Sequence, residues 1–174
     1  MSSQKGDRNW SRIKGRMEKV EEEARSLFVY GTLRTDDDSE APWTKKFIKG
    51  MEARPAKVFG ASLYFSRYPV AVLDEAASSC VVGQIVRPVD AANWQRKLAE
   101  ADHIEDYPRW YQRRVVEAVD LTDGKTVRCW IYHRTKVEMD QENGTMIAGG
   151  DWLKRERRFG LAGGVVLGLC LPAF

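Results

Sequence analysis

The sequence lacks the short motifs that identify several large enzyme classes. It contains no Gly-x-Ser-x-Gly nucleophile elbow, no glycine-lysine phosphate loop and no Gly-x-Gly-x-x-Gly dinucleotide fingerprint. Histidine is also scarce, and neither His103 nor His133 has a partner at metal-ligand spacing. These absences argue against elbow-type hydrolases, nucleotide-loop enzymes, dinucleotide oxidoreductases and a histidine metal centre. We interpret His103 as a surface residue in the last turn of a helix, where a cation suits the helix dipole.

Cysteine is scarce as well. The three cysteines, Cys80, Cys129 and Cys170, show no metal-ligand spacing and cannot all pair within one chain. Buried free thiols of this kind are typical of a reducing compartment. The N-terminal region also lacks the apolar stretch of a secretory signal. Together these features predict a cytoplasmic protein.

Neither sign of charge is in large excess. The chain has 28 Lys and Arg against 25 Asp and Glu, interleaved throughout, for a net charge of +3. A nucleic-acid-binding protein would concentrate its basic residues on one face or helix, so we expect no nucleic-acid partner. Residues 1–26 are charged and poor in aromatics, which predicts a flexible N-terminal arm. Their acidic residues do not suit an organelle transit peptide.

Long apolar runs are confined to the C-terminal tail, residues 159–174. At sixteen residues this segment is shorter than the roughly 17–25 that cross a bilayer. We expect the tail to pack on the core or to be disordered. The alternative is a weak contact with a membrane or a partner, because the basic cluster at 154–158 favours anionic lipid.

Between the arm and the tail, residues 27–158 are predicted to form a single domain. Strand-like runs rich in β-branched and aromatic residues occur at 28–30, where the run stops at Gly31, and at 58–65, 68–73 and 80–87. A short helix is expected at 41–50, with Pro42 in its first turn.

The second half of the domain predicts one helix and one hairpin. Asp90 is a suitable N-cap for a helix through Ile104, which we expect Pro108 to end. Strands at 115–121 and 126–132 flank a turn containing Gly124. The predicted fold is α+β, with five to six strands in a small mixed β-barrel or strongly curved sheet and two or more packed helices. Strands and helices alternate too rarely for a doubly wound fold.

Two features of this domain are candidates for chemistry. The first strand ends at Gly31, where a glycine lets backbone N–H groups approach a ligand without a Cβ in the way. Glu105 follows at the end of the predicted helix. Neither feature alone indicates a functional site, since strands often end in tight turns and helix carboxylates usually face solvent. A backbone anion site with one carboxylate is nevertheless sufficient for amide chemistry.

The order and separation of these pieces carry more information than either piece. The chain resembles the γ-glutamylcyclotransferase-like family, including its plant avirulence-induced-gene-like and γ-glutamylamine cyclotransferase branch. The resemblance spans about residues 27–152. It rests on Val29-Tyr30-Gly31-Thr32-Leu33-Arg34, Tyr68-Pro69, Val82-Gly83-Gln84-Ile85, Asp102-His103-Ile104-Glu105 with Tyr111-x-Arg113, Trp130-Ile131-Tyr132 and Gly149-Gly150-Asp151-Trp152.

The resemblance implies that the substrate's α-amine attacks its own γ-amide, giving 5-oxoproline and a free amine. The partner would be a small γ-glutamyl molecule, with no metal or other cofactor, and the protein a monomer or homodimer. Glu105 would be the general acid and base. Tyr111 has an equal alternative role as a half-buried core tyrosine. The implied substrate-binding residues are Tyr30, Gly31, Thr32, Leu33, Arg34 and Tyr111.

Two local features bear on Glu105. At a helix C-terminus, partial negative charge disfavours the carboxylate, so we predict that its pKa is raised. The family glutamate is commonly followed by glycine, whereas Asp106 follows it here. A second carboxylate would raise the pKa of Glu105 further or crowd the site.

Two alternative functions stay open. The domain could be a non-catalytic module that binds a metabolite or partner and uses the apolar tail. It could also transfer or release a γ-glutamyl group within a biosynthetic pathway. The sequence does not identify the leaving amine.

Overall fold

The computed structural model describes residues 24–38 and 40–155, which form eight strands and three α-helices. The helices are α1 (Pro42–Ile48), α2 (Trp94–Ile104) and α3 (Lys136–Gln141). The strands are β1 (Leu27–Val29), β2 (Met51–Phe59), β3 (Ala61–Phe65), β4 (Pro69–Leu73), β5 (Cys80–Pro88), β6 (Gln112–Asp120), β7 (Thr126–His133) and β8 (Thr145–Met146).

Five strands close into a barrel in the order β1-β5-β2-β6-β7. Neighbours are antiparallel except where β1 meets β7, and this parallel pairing of Leu27 with Trp130 closes the ring. The remaining strands form a second sheet in the order β4-β3-β8. The predicted α+β fold with a small barrel and packed helices is therefore confirmed.

Alternating side chains of β1 reach two different core clusters, since successive residues of a strand point to opposite faces. Leu27 and Val29 pack with α2, which contributes Trp94, Leu98 and Ala101 to the same cluster. The other face of the chain carries Phe28 and Tyr30, which join a cluster with residues of β2, β5 and β7. The end of β1 is thereby held between both cores, close to the end of α2.

One predicted strand was wrong. Residues 58–65 form parts of two strands in different sheets, because the chain turns at Gly60 with φ +65°. A Cβ at Gly60 would lie 3.1 Å from the Cα of Glu75. The first of the two strands also begins earlier, at Met51, and pairs with β5 over its whole length. The turn was not predicted because the apolar run continues through residue 60.

The predicted helix was right in its start but too long. Asp90 accepts a hydrogen bond from the N–H of Ala92 and caps a 3₁₀ turn that leads into α2. The helix ends at Ile104 rather than at Pro108. The helix at 41–50, the extended piece at 68–73 and the hairpin around Gly124 are confirmed.

The proposed arm and tail lie largely outside the described residues. Of the arm, residues 1–23 are not described, whereas Ala24 and Ser26 are buried. Trp130 fixes both: its ring N–H donates to the Ala24 carbonyl and its backbone N–H to that of Ser26. The whole of the tail at 159–174 lies outside the described range. No helix in the described part of the chain is long and apolar enough to cross a membrane.

Candidate active site

Glu105 occupies the position where α2 ends. Asp106, the next residue, has φ +50°, and the N–H of Tyr107 donates to the carbonyl of Asp102 at 2.9 Å. The N–H of Asp106 donates to the carbonyl of His103 at 3.4 Å. This is the left-handed C-terminal cap known as a Schellman motif. The cap turns the chain sharply and fixes Glu105 at the C-cap position, directly after the last residue of α2.

The same geometry accommodates aspartate at position 106. The position requires a left-handed backbone, which glycine adopts freely and aspartate tolerates. The Asp106 carboxylate binds Arg109 at 2.8 Å. Burial is the cause of the raised pKa at Glu105. The expectation that Asp106 raises this pKa further or crowds the site stays a prediction.

The Glu105 carboxyl is partly buried and uncompensated. Among the described residues it makes no hydrogen bond and no ion pair. Burial raises its pKa from 4.5 to about 7, because removal from water disfavours the charged form. The pKa of Glu105 is raised, as predicted from its place at the end of a helix. The cause, however, is removal of the carboxyl from water and not the helix dipole. A carboxyl of this kind exchanges a proton near neutral pH.

Three phenols lie within electrostatic reach of Glu105. Burial of the three phenols is the main cause of the raised pKa values of Tyr30, Tyr111 and Tyr132, and the negative charge of Glu105 raises each of them further. Tyr30 donates its hydroxyl proton to the carbonyl of Tyr132 at 2.8 Å. Tyr111 donates to the carbonyl of Pro69 at 2.9 Å. The structure thus brings Tyr30, Tyr111 and Glu105 together, as the resemblance implied, and keeps the phenols neutral.

The loop after β1 has N–H groups without a partner among the described residues. Its Gly31 carbonyl accepts from the N–H of Arg34 at 3.0 Å, and its Thr32 carbonyl accepts from the Thr44 hydroxyl. The N–H groups of Thr32 and Leu33 donate to no acceptor within the described residues. Successive free N–H groups in a turn attract an anion or a developing oxyanion.

Gly31 is required by packing against the second sheet. A Cβ at this position would lie 2.4 Å from Cγ of Pro69. Pro69 also supplies the carbonyl that Tyr111 binds. The glycine therefore lets the loop and the tyrosine share one neighbour, a reason different from the ligand approach inferred from the sequence.

Arg34 is buried, and its guanidinium binds protein carboxylates. It pairs with Asp36 at 2.8 Å and with Asp151 at 3.0 Å. The next residue, Thr35, donates its N–H and its hydroxyl to the side-chain oxygen of Gln84. These contacts hold the loop to β5 and to the chain near residue 151. Substrate contact by Arg34 stays a prediction.

Sequence reasoning assigned no role to a second group of polar residues beside Glu105. The Tyr132 hydroxyl donates to Asp102 Oδ1 at 2.6 Å, and Arg113 binds both Asp102 oxygens at 2.5 and 2.6 Å. Asp102 and Glu105 are three residues apart and share one helix face. Two features could have indicated this group of polar residues. One is the spacing of Asp102 and Glu105, and the other is the hairpin, in which Arg113 pairs with Tyr132.

Other parts of the described surface offer less. No cluster of three or more His, Cys, Asp or Glu residues there is placed to hold a metal ion. An open cavity of about 430 Å³ is lined by Phe59, Val116 and Arg128, among others, and by none of the predicted site residues.

Burial of Glu105 predicts a pH-dependent cost to stability. A carboxyl whose folded-state pKa exceeds its unfolded value stabilises the fold below the unfolded value, here 4.5, and this contribution is lost as pH rises through about 7. Glu105→Gln stays neutral, so we expect its melting temperature to exceed that of the wild type more at pH 8 than at pH 5. Thermal unfolding at the two pH values measures this. The exposed Glu117→Gln is the matched control, and an equal gain there would contradict the explanation.

Comparison with known proteins agrees with these features. The family model described as gamma-glutamyl cyclotransferase, AIG2-like, matches residues 27–154. No curated protein sequence matches the chain. Among solved structures, an Arabidopsis thaliana protein is 23% identical with a TM-score of 0.51, covering 69% of this chain and 67% of its own. That likeness shows a shared fold.

Two further structures show weaker similarity. An AIG2-like protein from Mus musculus is 23% identical over 63% of this chain and 76% of its own, with a TM-score of 0.47. An uncharacterized protein from Pyrococcus horikoshii is 21% identical over 73% of this chain and 88% of its own, with a TM-score of 0.48. The family match itself covers well over half of the sequence. The chain belongs to the AIG2-like γ-glutamyl cyclotransferase family.

Proposed function

We propose that this protein is a γ-glutamyl cyclotransferase that converts a γ-glutamyl amide or γ-glutamyl amino acid to 5-oxoproline and a free amine. The observation that carries the proposal is the Glu105 carboxyl, which is partly buried without a partner among the described residues and has a pKa of about 7. It lies within electrostatic reach of Tyr30, the first residue of the loop with free N–H groups. Acid–base and anion-binding functions are thereby adjacent.

The reaction begins with a proton transfer. The substrate's α-amine arrives as an ammonium group and is not nucleophilic until it loses a proton. Glu105 in its carboxylate form accepts that proton. A base with a pKa near the working pH is effective, since it is ionised often enough and still binds the proton well.

Ring closure follows within the substrate. The α-nitrogen attacks the γ-amide carbonyl carbon, forming the new C–N bond of the five-membered ring and placing negative charge on the carbonyl oxygen. Holding nucleophile and electrophile in this folded-back form supplies ~7–11 kcal/mol in favourable cases. The N–H groups of Thr32 and Leu33 are suited to stabilise the oxyanion or to bind the substrate's α-carboxylate.

Collapse of the intermediate completes the reaction. The bond to the leaving nitrogen breaks as protonated Glu105 returns its proton to that nitrogen. The ring nitrogen still carries a second proton from the former ammonium group, and the ionised Glu105 takes it and passes it to the released amine, which leaves as an ammonium ion. The products are 5-oxoproline and an amine, and Glu105 regains its starting charge. Its partly buried position suits both proton transfers, because a carboxyl with a pKa of about 7 is neither too acidic to accept a proton nor too basic to release it.

A panel of γ-glutamyl amines and γ-glutamyl amino acids tests the proposal. We expect purified protein to release 5-oxoproline from at least one compound class, measured by chromatography. Calorimetry on the same panel distinguishes the alternative of a non-catalytic module, which binds without turnover. Formation of a new γ-glutamyl product in the presence of an acceptor amine would instead indicate group transfer. Either result would contradict the proposed cyclisation.

A further inference from the structure

The loop after β1 is anchored at both ends by Gln84 of β5. Val29, the last residue of β1, pairs with Gln84 in the barrel. Beyond the loop, the backbone N–H of Thr35 donates to Oε1 of Gln84 at 2.8 Å, and the Thr35 hydroxyl donates to the same oxygen at 3.1 Å. Gln84 is itself buried. With the two ends held in this way, the main freedom left to the loop is the tilt of its individual peptide planes.

Each N–H of the loop shares a peptide plane with the carbonyl of the residue before it. A trans peptide holds these two groups in one plane, pointing in nearly opposite directions. The N–H of Thr32 therefore points away from whatever binds the Gly31 carbonyl, and the N–H of Leu33 points away from whatever binds the Thr32 carbonyl. The Gly31 carbonyl accepts from the N–H of Arg34 at 3.0 Å, a contact within the loop itself.

The Thr32 carbonyl is bound from outside the loop. Its partner is the hydroxyl of Thr44, the third residue of α1. Thr44 is buried, and its own backbone N–H donates to the carbonyl of Ala41 at 3.0 Å. Within the described residues no other group donates to the Thr32 carbonyl. One side chain of α1 thus sets the direction of the Leu33 N–H, which itself donates to no acceptor in the described part of the chain.

We propose that Thr44 is a positioning residue that aims the Leu33 N–H as a hydrogen-bond donor to an anionic oxygen of the substrate. The role rests on the proposed cyclotransferase activity. The oxygen belongs either to the α-carboxylate of the γ-glutamyl group or to the γ-carbonyl that becomes an oxyanion during ring closure. A donor already fixed in direction binds such charge without first having to reorient. Thr44 acts only through the peptide plane, because its one hydroxyl proton is used by the Thr32 carbonyl.

The direction of the N–H bond is measured without substrate, from residual dipolar couplings in ¹⁵N-labelled full-length protein. We expect Thr44→Val to change the coupling of Leu33, because valine keeps the shape of threonine but has no hydroxyl. The Thr32 coupling is the internal control and should change much less, since Arg34 holds that peptide plane. Thr44→Ser keeps the hydroxyl and should match the wild type. An unchanged Leu33 coupling in Thr44→Val, or equal changes at Leu33 and Thr32, would overturn the proposal.

The second readout is the kinetics of 5-oxoproline release. Loss of an aimed donor to the oxyanion is expected to lower kcat by about 10²–10³-fold. Loss of a donor to the α-carboxylate is expected to raise KM by about ten- to a hundredfold at unchanged kcat. Either pattern in Thr44→Val, with Thr44→Ser close to the wild type, supports the role and identifies the oxygen. Unchanged kcat and KM in Thr44→Val would overturn the proposal.

Ser26→Ala is the matched control for loss of a hydroxyl. Ser26 is also buried, and its hydroxyl also donates to a backbone carbonyl, that of Arg128 at 3.2 Å. This contact lies at the other end of β1 from the loop. We expect Ser26→Ala to leave kcat and KM near the wild-type values. The same losses in Ser26→Ala and Thr44→Val would mean that the Thr44 effect is general destabilisation, and would overturn the proposal.

Thr44→Ala keeps the test decisive if valine crowds the Thr32 carbonyl and prevents folding. Alanine also lacks the hydroxyl but leaves room for the carbonyl, so the same changes at Leu33 and in the kinetics are expected. The two proposals fail separately. A changed Leu33 coupling with no 5-oxoproline release by the wild type would contradict the cyclotransferase and keep the contact that orients Leu33. Release by the wild type, with unchanged kinetics in Thr44→Val and Thr44→Ala, would contradict the role of Thr44 and keep the cyclotransferase.

Discussion

Replacing Glu105 with glutamine is expected to reduce 5-oxoproline release by about 10²–10⁴-fold, the usual contribution of a positioned acid or base. Glutamine keeps the shape of the side chain but accepts no proton from the ammonium and returns none to the leaving amine. Since the wild-type carboxyl has a pKa of about 7, wild-type activity should fall as pH decreases below 7 and the base becomes protonated. Steady-state release between pH 5 and 9 measures both effects.

Asp106→Asn is the matched control for that substitution. It makes the same carboxyl-to-amide change at the next residue, where the side chain binds Arg109 rather than facing the phenols. Asparagine also tolerates the left-handed backbone that this position requires. We expect near wild-type release from Asp106→Asn. Equal losses in the two variants would mean that the Glu105 effect is not specific.

Gly31→Ala is expected to have the second large effect, on both stability and activity. The new methyl group would overlap Cγ of Pro69, 2.4 Å away. A proline ring cannot swing aside as a flexible side chain does, so either the loop or β4 has to move. Overpacking of this kind typically costs about 1–3 kcal/mol of stability. A loop displaced by about 1 Å costs about 10²-fold in rate. Thermal unfolding and release assays measure the two losses.

The double variant Gly31→Ala with Pro69→Ala identifies the cause. Alanine at position 69 removes the ring atoms at 2.4 and 3.7 Å and keeps the Cβ at 3.2 Å. The carbonyl that Tyr111 binds is a backbone group and is retained. We expect the double variant to recover much of the stability lost by Gly31→Ala. If it is no more stable than the single variant, the clash with Pro69 is not the reason for glycine at this position.

The sequence was most informative where local chemistry decides the structure. The Asp90 cap, Pro42 at a helix start and the turn containing Gly124 each depend on a few neighbouring residues. The split at Gly60 was missed because an apolar run continues through it, and the change of sheet depends on distant pairing partners. Barrel closure through β1 and β7 likewise joins residues about one hundred positions apart.

The proximity of three candidate site residues could be predicted from the sequence, whereas their electrostatic environment could not. Tyr30, Tyr111 and Glu105 were named from the ordered motifs, and the structure brings them together. The cause of the raised pKa of Glu105 was not predictable, since desolvation depends on what packs around the carboxyl. The ion pair of Arg34 with Asp151 was not predictable either, because Asp151 lies 117 residues away along the chain. Long-range contacts of this kind leave no local signal.

The most direct single measurement is the product balance from one γ-glutamyl amide with the wild type and with Glu105→Gln. If Glu105 moves the proton in an intramolecular aminolysis, the wild type releases 5-oxoproline and amine in equal amounts and no glutamate. Glu105→Gln, folded by thermal unfolding, then releases neither above background. Glutamate as the product, or full release by Glu105→Gln, would contradict the account.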